Sequence, residues 1–204
     1  MDTKVYIASV GDDSAYRRLY SAATEARKAK ADVLRFADDK RRCIAAEALL
    51  RHALKEQGIC DFQVLTEENG KPYLQGLPVH FSLSHSGEYV LCAISSQSVG
   101  CDIQEIKSTD LRLAQRYFPP TEVKLLESAP ELFHRLWVLK ESLGKALGCG
   151  LNESILRREF DLTGSAPVLK DESQLHFKEF SLPGYQCAVC SQTANISGLI
   201  EVVL

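Results

Sequence analysis

The apolar positions of this chain fall at two spacings, and each change of spacing marks a new element. Residues 4–10 read as a first strand, and residues 14–31 are helix-compatible and rich in Arg and Lys. Asp38-Asp39 then opens a longer amphipathic helix that runs to about residue 57 and stops at Gly58. Acidic residues in a first turn complement the helix dipole, and glycine after the last turn is a usual stop. Ile44, Leu49, Leu50 and Leu54 form the apolar stripe of that helix, with Arg41, Arg42 and Arg51 as charged positions around it.

Residues 62–65 predict a short strand, and Asn69-Gly70 is a strong hairpin-turn signal. Residues 81–87 read as a Ser/Gly loop, followed by strands over 88–95 and 99–104, where Asp102 is a charge in an apolar setting. Helices resume over 111–117, 120–127 and 131–147, the last closing at Gly148 and Gly150. The remainder predicts strands at 160–162, 175–181, 185–190 and 200–203. Both halves mix helix with antiparallel-type strand, so the expected class is α+β, in two similar-sized halves joined near residues 105–109.

The length of 204 residues suits two units of this size, and a hydrophobic content of 45% is ample for their cores. A net charge of −3 and a pI near 6.0 argue against general nucleic-acid binding, which needs a basic field. No apolar run approaches the ~20 residues of a membrane span, and the first residues lack the long apolar region of a signal peptide. A cytosolic protein that meets neither nucleic acid nor membrane is expected. The seven cysteines are odd in number and sit mostly in apolar segments, as reduced buried residues do. Cys187 and Cys190 have C-x-x-C spacing, but in a strand they would point to opposite faces and make a poor chelate.

Three segments carry candidate chemistry. On a helix, Trp137, Glu141 and Lys145 fall at i, i+4 and i+8 and share one face, either as a phosphate-and-metal site or as an ordinary Glu–Lys pair beside a core Trp. Asp102 and Gln104 share one face of a strand. The segment Phe81-Ser82-Leu83-Ser84-His85-Ser86-Gly87 offers hydroxyls, an imidazole and backbone N–H groups to an anion. Two carboxylates with an amide oxygen suit a hard cation, Mg²⁺ in particular, completed by water and phosphate.

These segments, in this order, resemble the 4′-phosphopantetheinyl transferases of the surfactin-synthetase-activating type. That family's Gly-x-Asp-(Ile/Val)-Glu strand is matched by Gly100-Cys101-Asp102-Ile103-Gln104, and its (Trp/Phe)-x-x-Lys-Glu-(Ser/Ala)-x-x-Lys helix by residues 137–145. Gly70-Lys71-Pro72, the Phe81–Ser86 segment and Arg116-Tyr117-Phe118-Pro119-Pro120-Thr121-Glu122 match three further family motifs. The match holds from about residue 38 to 151 and weakens outside it.

The resemblance implies two pseudo-symmetric subdomains, residues 1–104 and 105–204, each a small antiparallel sheet packed with helices, with the active site at their interface. It implies attack by a carrier-protein serine on the β-phosphate of coenzyme A, dependent on Mg²⁺ (or Mn²⁺), with release of 3′,5′-adenosine diphosphate. Carried over by position, Asp102, Glu141 and Gln104 would hold the metal, and Glu141 or a water it orients would take the serine proton. Lys145 would stabilise the developing phosphate charge. Ser84, His85 and Arg42 would grip the 3′-phosphate region and Lys71 the adenosine or phosphate end, with Lys28 and Lys30 as further basic positions. An acyl or peptidyl carrier protein is the implied partner and a monomer the implied state. Leu111, Arg112, Gln115, Arg116, Tyr117 and Phe118 are candidates for the docking patch, although Leu111, Tyr117 and Phe118 also suit a core with the arginines merely exposed. Gln104 departs from the family's Glu and removes one negative charge from the site, and Cys43 stands where a hydroxyl residue often follows the arginine. A non-catalytic coenzyme A binder and a metal-dependent phosphoesterase are the alternative readings.

Overall fold

The computed structural model describes residues 1–109, 111–171 and 174–204. In chain order these form β1 (Thr3–Ser9), α1 (Asp13–Ala22), α2 (Glu25–Asp32), α3 (Ala37–Lys55), β2 (Val64–Thr66), β3 (Pro72–Leu74), β4 (His80–Ser86), β5 (Tyr89–Ser95) and β6 (Val99–Glu105). Then follow α4 (Arg112–Tyr117), α5 (Pro120–Ser128), a 3-10 turn (Pro130–Leu132), α6 (Phe133–Leu147), α7 (Glu153–Leu156), β7 (Phe160–Asp161), β8 (Val168–Leu169), β9 (His176–Leu182), β10 (Tyr185–Ser191) and β11 (Ile196–Glu201).

Four layers follow from the period-2 alternation of the strands. Tyr6, Val90, Cys92 and Ile94 pack with Leu49, Leu50 and Ala53 of α3 on one face of the sheet β11-β1-β5-β4. Val5, Ile7, Leu91 and Ala93, the alternate residues, pack instead on Cys101, Ile103, Cys187 and Val189 of the sheet β6-β10-β9. The outer face of that second sheet, with Ala188 and Cys190, lies under Leu136, Leu139 and Leu143 of α6. The order is therefore helix, sheet, sheet, helix, and β1, β5 and β10 are buried on both faces. Cys187 and Cys190 fall in different layers, as their spacing in a strand requires.

Several details differ from the sequence reading. Residues 14–31 are two helices, because Thr24 ends the run: its hydroxyl caps α2 by accepting from Arg27 N (3.2 Å), and both its N–H and its hydroxyl donate to the Glu47 carboxylate. Residues 80–86 are a strand, not a loop, and pair antiparallel with β5 across a turn at Gly87. The last strand pairs with β1 in parallel, and β6 pairs with β10. Strand pairing thus crosses residue 104 in both directions, β11 returning to the first sheet and β6 joining the second. The short elements β3, β8 and α7 carry little apolar periodicity of their own, and the strand expected at 160–162 is present as β7.

One close approach fixes the site. A Cβ at Gly100 would lie 2.0 Å from the Ser142 carbonyl oxygen and 2.3 Å from Ala146 N, so only glycine lets α6 lie directly on β6. Gly100→Ala would collide with backbone that has no rotamer to change. We expect it to cost about 3 kcal/mol, the upper end for overpacking, and to lower the melting temperature by about 6–12 °C on thermal unfolding. A melting temperature within a degree of the parent would show that the helix can lift from the strand without cost.

Candidate active site

The contact of β6 with α6 creates the charged centre. Val99, Cys101 and Ile103 point into the layer between the sheets, so Asp102 points the other way, towards α6. One turn from the end of α6, Lys145 meets it: Nζ donates to Asp102 Oδ1 at 2.7 Å and to the carbonyl of Cys101 at 3.1 Å. Ser84 Oγ donates to the same Asp102 oxygen at 2.6 Å. Asp102 is 6% exposed, so these donors compensate a carboxylate largely removed from water. Burial acts to lower the Lys145 pKa, but the Asp102 and Glu141 carboxylates outweigh it and hold the ammonium above its ordinary value.

Glu141, one turn earlier on α6, completes an acidic pair. Burial raises its carboxyl pKa above the ordinary value and the charge of Asp102 raises it further, with Lys145 opposing. Two carboxylates that repel each other in a partly desolvated site are what a divalent cation relieves. Gln104 lies two residues beyond Asp102, half-buried on the same face of β6. The donor set, two carboxylates and an amide oxygen, fits a hard cation such as Mg²⁺.

An imidazole and a mixed set of charged side chains lie in a cavity to one side of this pair. This cavity, of about 850 Å³, is lined by Arg41, Arg42, His85 and Lys107 together with the carboxylates of Asp12, Asp38, Asp39, Glu88 and Glu105. Arg42 is fixed in it by Nη1 donating to the Gly87 carbonyl (3.0 Å) and Nη2 donating to Asp39 (2.6 Å). The His85 imidazole is held below its ordinary pKa, first by desolvation and then by the charges of Arg42 and Lys145, so it lies in the field of both. The turn beside it is latched from the second sheet: the Tyr185 hydroxyl accepts from Glu88 N at 3.1 Å, and Gly87, at φ +52°, leaves the room that the hydroxyl needs. A second cavity, about 220 Å³, is lined by Lys71, Pro72, Phe81, Leu83, Gly144 and Lys145. Lys71 reaches the end of α6 there, where its Nζ donates to the Ala146 carbonyl at 2.7 Å, and burial lowers its pKa.

The sequence-based candidates therefore divide. Asp102, Glu141 and Lys145 converge, with Arg42 and His85 in the adjoining cavity and Lys71 in the other. Lys28 and Lys30 are not brought there: both lie on α2, which packs on α3 through Ala31, and Lys28 pairs with exposed Glu25 at 2.8 Å. Ser84 is buried in the seam between β4 and β6, with its proton on Asp102. Trp137 stacks on Phe133, which stacks on Phe118, so the ring continues the core rather than facing the charged pair. Phe118 is core for the same reason, whereas Arg112, Gln115 and Arg116 of the expected patch are exposed. Cys43 packs on Ala31 and Ile44 and is a core residue.

One pair was missed. Lys140 is fully buried, 2.7 Å from Glu122, and its ammonium donates to the Arg158 carbonyl. Burial pulls the ammonium pKa down and pushes the carboxyl up, so each charge depends on the other. The signal was present: Lys140 stands four residues after Leu136 and three before Leu143, inside the apolar stripe.

An α+β scaffold that sets paired carboxylates beside a lysine and an Arg/His cavity is of the class that handles phosphate anions. A family model described as the 4′-phosphopantetheinyl transferase superfamily matches residues 98–190. The chain is 34% identical over 191 residues to the 4′-phosphopantetheinyl transferase psf-1 of Bacillus pumilus, covering 87% of this chain and 82% of that protein. It is 33% identical over 168 residues to the 4′-phosphopantetheinyl transferase Sfp of Bacillus subtilis (76% and 75%), and 35% identical over 159 residues to HetI of a Nostoc species (69% and 65%). The chain belongs to the 4′-phosphopantetheinyl transferase superfamily. Among the described residues no helix is long and apolar enough to cross a membrane.

The raised carboxyl of Glu141 makes a stability prediction. A folded-state pKa above the unfolded one means stability that is full below the ordinary value of 4.5 and lost as the pH rises through the folded value. Glu141→Gln removes that charge. It is expected to melt above the parent at pH 8 and to lose the advantage as the pH falls to 4.5, in calorimetric scans. Equal melting temperatures at every pH would contradict a desolvated, repelled carboxylate.

Proposed function

We propose that this chain transfers the 4′-phosphopantetheine group of coenzyme A to a serine of an acyl or peptidyl carrier protein and releases 3′,5′-adenosine diphosphate. Membership of the superfamily and the names of its relatives support the reaction class. The observation that carries it is the 2.7 Å contact of Lys145 with Asp102, with Glu141 in the field of both. A catalytic lysine and two carboxylates are thereby held at one point.

In the reaction, the serine oxygen forms a bond to the β-phosphorus and the bridging oxygen to the adenosine diphosphate departs. Asp102, Glu141 and the Gln104 amide oxygen would hold Mg²⁺ (or Mn²⁺), which when bound neutralises diphosphate charge. Glu141, directly or through a water it orients, takes the serine proton. Lys145 stabilises charge on the departing phosphate. Arg42 and His85 bind the 3′-phosphate from the larger cavity, and Lys71 borders the adenosine end. One chain supplies both β6 and α6, in keeping with the monomer that the family resemblance implies. The non-catalytic reading rests on Gln104 alone.

Incubation with Mg²⁺, coenzyme A and an apo carrier protein is expected to add one phosphopantetheine to the carrier, read by intact-mass spectrometry. Asp102→Ala and Glu141→Ala should each slow transfer by about 100-fold or more. Coenzyme A hydrolysis without any carrier modification would instead indicate a phosphoesterase. Carrier proteins are acidic, and the exposed α4 arginines offer the complementary charge. Arg112→Glu with Arg116→Glu should raise the carrier KM by about tenfold and leave the coenzyme A KM unchanged. An unchanged carrier KM would place docking elsewhere.

A further inference from the structure

We propose that Ser84 is a positioning residue for Asp102, and that its hydroxyl aims the carboxylate instead of gripping phosphate. The inference rests on the transferase reading above. It starts from a seam that neither sheet provides. β4 and β6 belong to different sheets, so the edge amides of β6 that face β4 have no backbone partners there. Alternate serines of β4 supply the acceptors: Ser82 Oγ takes Cys101 N at 3.0 Å, Ser84 Oγ takes Ile103 N at 3.3 Å, and Ser86 Oγ takes Glu105 N at 3.0 Å.

The middle serine differs from its neighbours because its own proton goes to a carboxylate, Asp102 Oδ1, at 2.6 Å. The same oxygen accepts from Ile103 N, so the hydroxyl joins the strand amide to the carboxylate. The bond is short, as hydrogen bonds to ionised acceptors are. Lys145 Nζ donates to the same oxygen at 2.7 Å. Two donors on Oδ1 restrain the rotation of the carboxylate and leave Oδ2 to meet a cation. Ser84 is only 7% exposed. To bind a phosphate it would have to abandon a buried amide or a buried carboxylate, each costly to leave unpaired. His85, the next residue along the strand, points to the opposite face and into the larger cavity, so the phosphate-facing role falls to it.

The test compares the parent with Ser84→Ala, Ser84→Thr and His85→Ala. Mn²⁺ binding is read by the electron paramagnetic resonance of free Mn²⁺ at saturating coenzyme A. Coenzyme A binding without metal is read by calorimetry, and folding by thermal melting. Ser84→Ala is expected to weaken Mn²⁺ about tenfold or more, the usual effect of removing a group that orients a ligand, with metal-free coenzyme A affinity within about twofold of the parent. Ser84→Thr, which keeps the hydroxyl, should restore Mn²⁺ binding. Should Ser84→Ala not fold, Ser84→Cys, of similar size but a poor donor, should show the same Mn²⁺ loss. Unchanged Mn²⁺ affinity in the alanine or cysteine variant overturns the proposal. So does a fall in metal-free coenzyme A affinity equal to that of His85→Ala, which would make Ser84 a phosphate ligand. A parent that binds no Mn²⁺ overturns the underlying transferase reading as well, and that failure is separate from any difference among the Ser84 variants.

Discussion

The ion pair between Asp102 and Lys145 joins two elements that lie far apart in the chain, and the site depends on it. At 2.7 Å, with the Asp102 side chain 8% exposed, it cannot be held by long side chains reaching across a gap. It requires the helix to rest on the strand, which Gly100 permits by having no Cβ to strike the Ser142 carbonyl. The glycine, the aspartate and the lysine are thus one device. The first admits the helix, and the other two set its charge against the strand.

Around that contact, each flank is anchored by a different kind of interaction. Lys71 ties the β2–β3 hairpin to the Ala146 carbonyl at the end of α6, and Tyr185 ties the β4–β5 turn to the second sheet. The Lys140–Glu122 pair holds the far side of α6 to α5. Buried ion pairs are costly to form and more costly to break, so this one contributes a fixed helix position more than net stability. Glu141 is the next residue to Lys140, and the direction of its carboxylate follows from how α6 is held.

The layered fold was legible where burial imposes a period. The apolar runs of β1, β5 and β10, strands buried on both faces, and the stripe of α3 follow from the sequence. The chemistry of Asp102, Glu141 and Lys145 was legible as a family pattern rather than from spacing, which by itself favoured an ordinary Glu–Lys pair beside a core Trp. What the chain did not disclose depends on distant partners. Thr24 breaks the first helical run because Glu47 waits on α3. Ser84 reads as a polar loop residue, although it is an acceptor for one strand and a donor to its aspartate. Trp137 shares helical phase with Glu141 but turns to Phe133, since the stacked aromatic core has room for its ring. The parallel return of β11 to β1 has no local signature at all.

The proposed function depends first on Asp102 and Glu141, which would hold one divalent cation at the diphosphate of coenzyme A. Anomalous diffraction from a crystal grown with coenzyme A and Mn²⁺ tests it most directly. The account predicts a single strong manganese peak within coordinating distance of both carboxylates and of a diphosphate oxygen. A manganese peak that touches neither carboxylate, or a diphosphate bound outside the space between β6 and α6, would contradict it.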